Sequence, residues 1–200
     1  MRKETLYTIC ITLLCTGVVI FAATYGKNAR SYANSPQAHV INEPHEALQI
    51  WERAGVRGRT LLLFDRHLNA DSGAPPNESY VDSAIKKNVV RRIFHIVPGA
   101  AWQDVERVLS GSDAFTFNNG VYRMVFQGVP VTVMRLQDIA PLAETVLIAV
   151  NGSPYQDDEL RRLGDLIGQG VVRSDMIIWS GRLPAGPVME RIGLHARADR

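Results

Sequence analysis

Two hundred residues suffice for one domain of ordinary size, or for a smaller domain with an anchor. Apolar residues make up 46% of the chain and charged residues 21%, a globular balance that excludes a disordered chain, a collagen-like chain and a multi-span membrane protein. With 22 Lys and Arg against 20 Asp and Glu, the formal charge of +2 is too small to recruit nucleic acid.

From Thr5 to Gly26 the chain carries no charge, and Leu6 to Thr24 reads LYTICITLLCTGVVIFAAT. At about 1.5 Å per residue this run spans roughly 30 Å, the hydrocarbon thickness of a bilayer. It exceeds the usual core of a signal peptide, and no small-x-small cleavage site lies close behind it. Residues 1–26 therefore read as an N-terminal transmembrane anchor whose partner is the lipid bilayer, through residues 5–26; a cleaved signal peptide is the alternative. Arg2 and Lys3 on one side and Lys27 and Arg30 on the other give little asymmetry. A short N-terminal tail usually stays in the cytoplasm, so the expectation is a single-pass protein whose soluble domain is extracytoplasmic, periplasmic in a bacterium. Both cysteines, Cys10 and Cys15, fall inside the apolar run, which removes disulfides and thiolate chemistry from the remainder.

Residues 27–42 are polar, with Gly, Pro, Ser and Asn and no apolar period, and read as a linker. Residues 43–200 then read as a single domain. Pro44 suits a first helical turn, with Ala47, Leu48, Ile50, Trp51 and Ala54 on one face and Gly55 as the stop. Thr60–Phe64 (TLLLF) is an unbroken apolar strand of the kind buried on both faces of a parallel sheet. After a polar loop from Asp65 to Pro76, Asn77 can cap a helix over 78–87. Val90–Val97 predicts a second strand and 102–109 a short helix. Asn118-Asn119-Gly120 between two apolar stretches is a β-hairpin signal, and Val129–Leu136 adds a further strand. Val146–Val150 (VLIAV) is a short buried strand, 156–167 an amphipathic helix, Met176–Trp179 a last strand and 184–195 a final helix. Strands alternating with helices predict an α/β fold with a mainly parallel sheet flanked by helices, the hairpin being an edge or an insertion.

In open α/β sheets ligands gather where strands end, because loops and helix N-termini converge there. The chemically rich strand end is Asp65-Arg66-His67-Leu68-Asn69-Ala70-Asp71. Residues two apart in an extended segment point the same way, so Asp65, His67 and Asn69 can face one point, with Asp71 nearby. A carboxylate, an imidazole and an amide oxygen together suit a divalent metal. Asn151 and Ser153, also two apart after a buried strand, are further strand-end candidates, as is Arg182 after MIIW. Set beside this reading is plain loop chemistry, with Asp bonding nearby backbone N–H groups. Glu78 at a helix start is stabilised by the dipole; its catalytic reading is as a general base. His95 sits inside a strand pattern and reads as a hydrogen-bonded core residue.

Asp65-Arg66-His67-Leu68-Asn69 resembles the first metal motif, Asp-x-His-x-Asp, of the arginase/agmatinase/histone-deacetylase superfamily, with Asn in the third place. Val146–Ser153 (VLIAVNGS) is similar to the strand carrying the second motif, with Asn151 and Ser153 where the family has aspartates. The resemblance covers roughly residues 48–155. It implies an α/β hydrolase acting on amide or guanidino C–N bonds, with one divalent ion (Mn, Zn or Fe) held by Asp65 and His67 and assisted by Asn69 or Asp71. The family's upstream histidine motif has no counterpart in this chain. The rival expectation is a non-catalytic binding or scaffold domain that kept the fold and lost the ligands, its small-molecule ligand unspecified. No Gly-x-Ser-x-Gly elbow, P-loop, dinucleotide fingerprint or His-Glu-x-x-His occurs in the sequence, so those chemistries have no support.

Overall fold

Apolar runs too short for helices and flanked by turn residues become strands of one sheet. The computed structural model describes residues 36–66, 80–152 and 155–181, together with Gly186. In chain order the elements are β1 (Gln37–Ile41), α1 (Glu46–Arg53), β2 (Arg59–Phe64), α2 (Tyr80–Lys86), β3 (Val90–Val97), α3 (Gly99–Ser110), β4 (Thr116–Asn118), β5 (Val121–Phe126), β6 (Val129–Arg135), β7 (Thr145–Asn151), α4 (Asp157–Gly168) and β8 (Arg173–Ser180). The sheet has the order β1-β8-β7-β2-β3-β6-β5-β4. All neighbours from β1 through β6 run parallel, whereas β5 is antiparallel to β6 and β4 to β5. The expected α/β architecture is present, and the hairpin forms an edge of the sheet. Among the described residues no helix is long and apolar enough to cross a membrane. The apolar run at 5–26 and, apart from Gly186, the helix expected at 184–195 lie outside the described residues.

The unbroken runs in β2 and β7 follow from burial on both sides. Leu61 and Leu63 join one core with Leu147 and Ala149, while Leu62 and Phe64 join the other with Ile148 and Val150. Each such fully buried Leu or Phe contributes about 1.5–3 kcal/mol. Helices α1, α2 and α3 cover the first face, through Trp51, Ala84 and Trp102 among others; α4 covers part of the second through Leu160, Leu163 and Leu166. Helix α1 stops where Gly55 takes φ +69°, a left-handed conformation that lets Val56 N–H donate to the Trp51 carbonyl at 2.9 Å.

Two differences from the sequence reading have physical causes. Gln37–Ile41, inside the stretch 27–42 read as linker, is the edge strand β1, paired in parallel with β8. As an edge it buries Ile41 but leaves Val40 57% exposed, so its period is too faint to see in five residues. Between β5 and β6 lies a second two-residue hairpin turn, with Gln127 at φ 50° and Gly128 at 78°, matching Asn119 (52°) and Gly120 (79°) in the first. Both turns place two left-handed residues in succession, the geometry that agrees with strand twist. Asn is a usual occupant of the first position and Gln is not; here the Gln127 amide is held by a hydrogen bond to the buried Asp82 carboxylate of α2.

Candidate functional site

From β2 the chain adds β3 and then β6 on one side, and afterwards crosses to place β7 on the other side of β2. The strand order therefore reverses between β2 and β7. Segments leaving the two carboxyl ends diverge there, which opens the crevice where ligands of such sheets bind. Phe64 lies opposite Val150 in the parallel register, so Asp65 emerges beside Asn151, and Asn151 lies opposite Ser180 of β8. Asp65, Asn151 and Ser180, with Ile41, Pro44 and Tyr80, help to line a cavity of about 10 Å³. That is the space of one water-sized group.

The backbone of Asp65 is gripped by β3 on both its polar groups. Its N–H donates to the Ile96 carbonyl at 3.3 Å. Its carbonyl accepts from Nε2 of His95 at 2.9 Å, and because a carbonyl only accepts, that nitrogen carries the hydrogen. His95 is 3% exposed and is the hydrogen-bonded core residue expected from its place in the strand. The first residue past β2 is thus fixed by its neighbour strand.

Two phenols, the half-buried Tyr80 and the buried Tyr155, feel the Asp65 side chain. Burial, and then the Asp65 carboxylate, hold Tyr80 well above the ordinary tyrosine range. Burial, then Asp65, then Glu159 do the same to Tyr155. Tyr80 packs against the core of the first face and Tyr155 belongs to the core of the second, so the carboxylate is approached from both sides of the sheet. Both phenols stay neutral donors at physiological pH; Tyr155 gives its hydrogen bond to the Ile96 carbonyl. The neighbouring Glu159 joins two helix starts, accepting from Gln156 N–H at 3.1 Å and from Gly99 N–H at 2.7 Å.

Of the residues singled out from the sequence, the structure brings Asp65 and Asn151 to one cavity. His67, Asn69, Asp71, Glu78, Ser153 and Arg182 lie outside the described residues. Ser180, Tyr80 and Tyr155 were not singled out as site residues. Ser180 ends β8, whose place beside β7 is a matter of strand order. The two tyrosines carry ordinary core signatures. Among the described residues no cluster of three His, Cys, Asp or Glu side chains is placed to hold a metal. Among the described residues, one carboxylate with three neutral oxygen-bearing side chains, those of Asn151, Ser180 and Tyr80, surrounds a water-sized space, a set that fits a single hard cation or a water. No family model matches this chain, and neither does any curated protein or solved structure.

Proposed function

We propose that the chain is a membrane-anchored, arginase/deacetylase-like α/β domain acting as a divalent-metal-dependent hydrolase of amide or guanidino C–N bonds, with a degenerate, one-ion site. The observation that supports this reading is the position of Asp65: the first residue past β2, at the point of strand-order reversal, with its backbone fixed by Ile96 and His95. Asp65 and His67 are the proposed ligands for manganese, zinc or iron, with Asn69 or Asp71 completing the set and Glu78 as the proposed base. When bound, such an ion supplies Lewis-acid activation of water and substrate. The chain's own contribution at this point is positional: a carboxylate held in register, between phenols that remain protonated.

One observation favours a second reading, a non-catalytic binding or scaffold domain. The side chains beside Asp65 at the ends of β7 and β8 are the neutral Asn151 and Ser180, where a hydrolytic metal centre normally gathers further carboxylates. Metal analysis and calorimetric titration with Mn²⁺ and Zn²⁺ separate the two, using the full chain reconstituted in lipid nanodiscs. The hydrolase reading expects one ion per chain, with affinity falling by about tenfold or more in Asp65→Asn and His67→Ala. Flat titrations, with no metal-dependent rise in Tm, assign the domain to binding alone.

A further inference from the structure

Among the described residues, the second face of the sheet is only partly covered. Beyond α4, the strands β3, β6 and β5 expose a groove of about 430 Å³, bordered by the buried Leu62 of β2 and within the size range of small-molecule sites. Its floor follows from the register: Phe94 and Thr132 stand side by side on β3 and β6, between the buried Leu62 of β2 and the exposed Arg123 of β5. Met134 and Val121 adjoin that row, and the segment after β6 supplies a wall through Ile139 and Leu142. The surface is apolar in the middle and cationic at the rim, where Arg92 and Arg123 stand.

The charges around the groove do not balance. Glu144 is shared: it accepts from Thr60 at 2.8 Å, from Arg91 at 3.1 Å and from Arg92 at 3.3 Å. Asp138, the acid in the lining, is taken up by both forks of Arg135, at 2.8 and 3.3 Å. Arg123 bonds the Asn118 carbonyl at 3.4 Å and meets no carboxylate at ion-pair distance among the described residues. Among the lining residues two arginines, Arg92 and Arg123, therefore stand against one acid, Asp138, and the surplus is positive at the mouth of an apolar trough. A guanidinium on such a rim matches an anionic head group, and the half-buried Phe94 ring beneath matches a flat apolar body.

We propose that this groove is a binding site for a small organic acid, a carboxylate carried on a flat apolar body, with Arg123 and Arg92 receiving the carboxylate and Phe94 and Met134 receiving the body. The site is separate from the strand-end cavity and does not rest on the hydrolase reading.

Equilibrium dialysis of 2-naphthoate against the full chain in zwitterionic-lipid nanodiscs, corrected for empty discs, tests this. The expected result is one saturable site, with the uncharged analogue 2-naphthalenemethanol binding at least about tenfold more weakly. Arg123→Glu reverses an exposed rim charge and Ala140→Trp fills the groove from an exposed position, so both should fold; each should weaken naphthoate by about tenfold or more. Arg53→Glu, an exposed charge reversal on α1 at the other face, should leave binding unchanged. The proposal is overturned by the absence of saturable binding, by equal affinities for acid and alcohol, or by wild-type affinity in both groove variants. A dimer that Ala140→Trp dissolves, without naphthoate binding, also overturns it and gives the groove to a second copy of the chain.

Discussion

The two faces of the sheet share strands but not their degree of closure. On the first face, three helices press Trp51, Ala84 and Trp102 onto alternate residues of β2, β3, β6, β7 and β8. On the second, α4 seals β2, β7 and β8, while β3, β6 and β5 present Arg92, Thr132 and Arg123 in the positions where β2 and β7 present Leu62 and Ile148. Which face is closed at each strand depends on whether the even or the odd residues are apolar. Where both sets are apolar a strand is buried on two sides; where one set turns polar, the sheet meets solvent and a groove results.

The closed face is most sensitive at Trp51, which is fully buried. Trp51→Ala should cost about 3–5 kcal/mol, read as a lower midpoint in urea with little change of slope. Leu163→Ala, under α4 on the second face, should cost about 2–5 kcal/mol by the same measurement. Phe94→Ala in the open groove should fall below both, because the ring is only half buried; a cost equal to that of Trp51→Ala would show the groove to be covered. The smallest effect belongs to Asp82, which ties α2 to the second hairpin turn.

The Asp82 carboxyl lies below the ordinary range, through hydrogen bonds from Lys86 (2.7 Å) and Gln127 and the charge of Lys86, against the opposing effect of burial. A depressed folded value means that its stabilising contribution is complete above the unfolded value of about 4 and disappears as pH falls through the folded one. The Tm of Asp82→Asn, followed from pH 7 to pH 2, should therefore lie below wild type at neutral pH and converge with it in acid. Parallel curves would remove the carboxylate from the account.

The sequence made much of this legible, for reasons that differ by element. TLLLF and VLIAV announce two-sided burial because nothing polar interrupts them, and Asn119-Gly120 announces a turn because both residues tolerate positive φ. β1 is quiet because an edge strand in a parallel sheet has little to bury. Gln127 is misleading because its reason for being in a turn is Asp82, 45 residues earlier in the chain. At the site, Asp65 and Asn151 are legible because each is the first polar residue after an unbroken apolar run. Ser180, Tyr80 and Tyr155 are hidden because they arrive through strand order and helix placement, which local pattern does not encode.

The sheet is wide, yet each of its outermost strands is short. One is β1 with five residues, and the other is β4 with three, ending in a two-residue turn. Unpaired backbone groups along a long, flat border would invite a foreign chain to dock as a ninth strand and begin intermolecular growth. Among the described residues, the outermost strands offer only short runs of free backbone on which such growth could start.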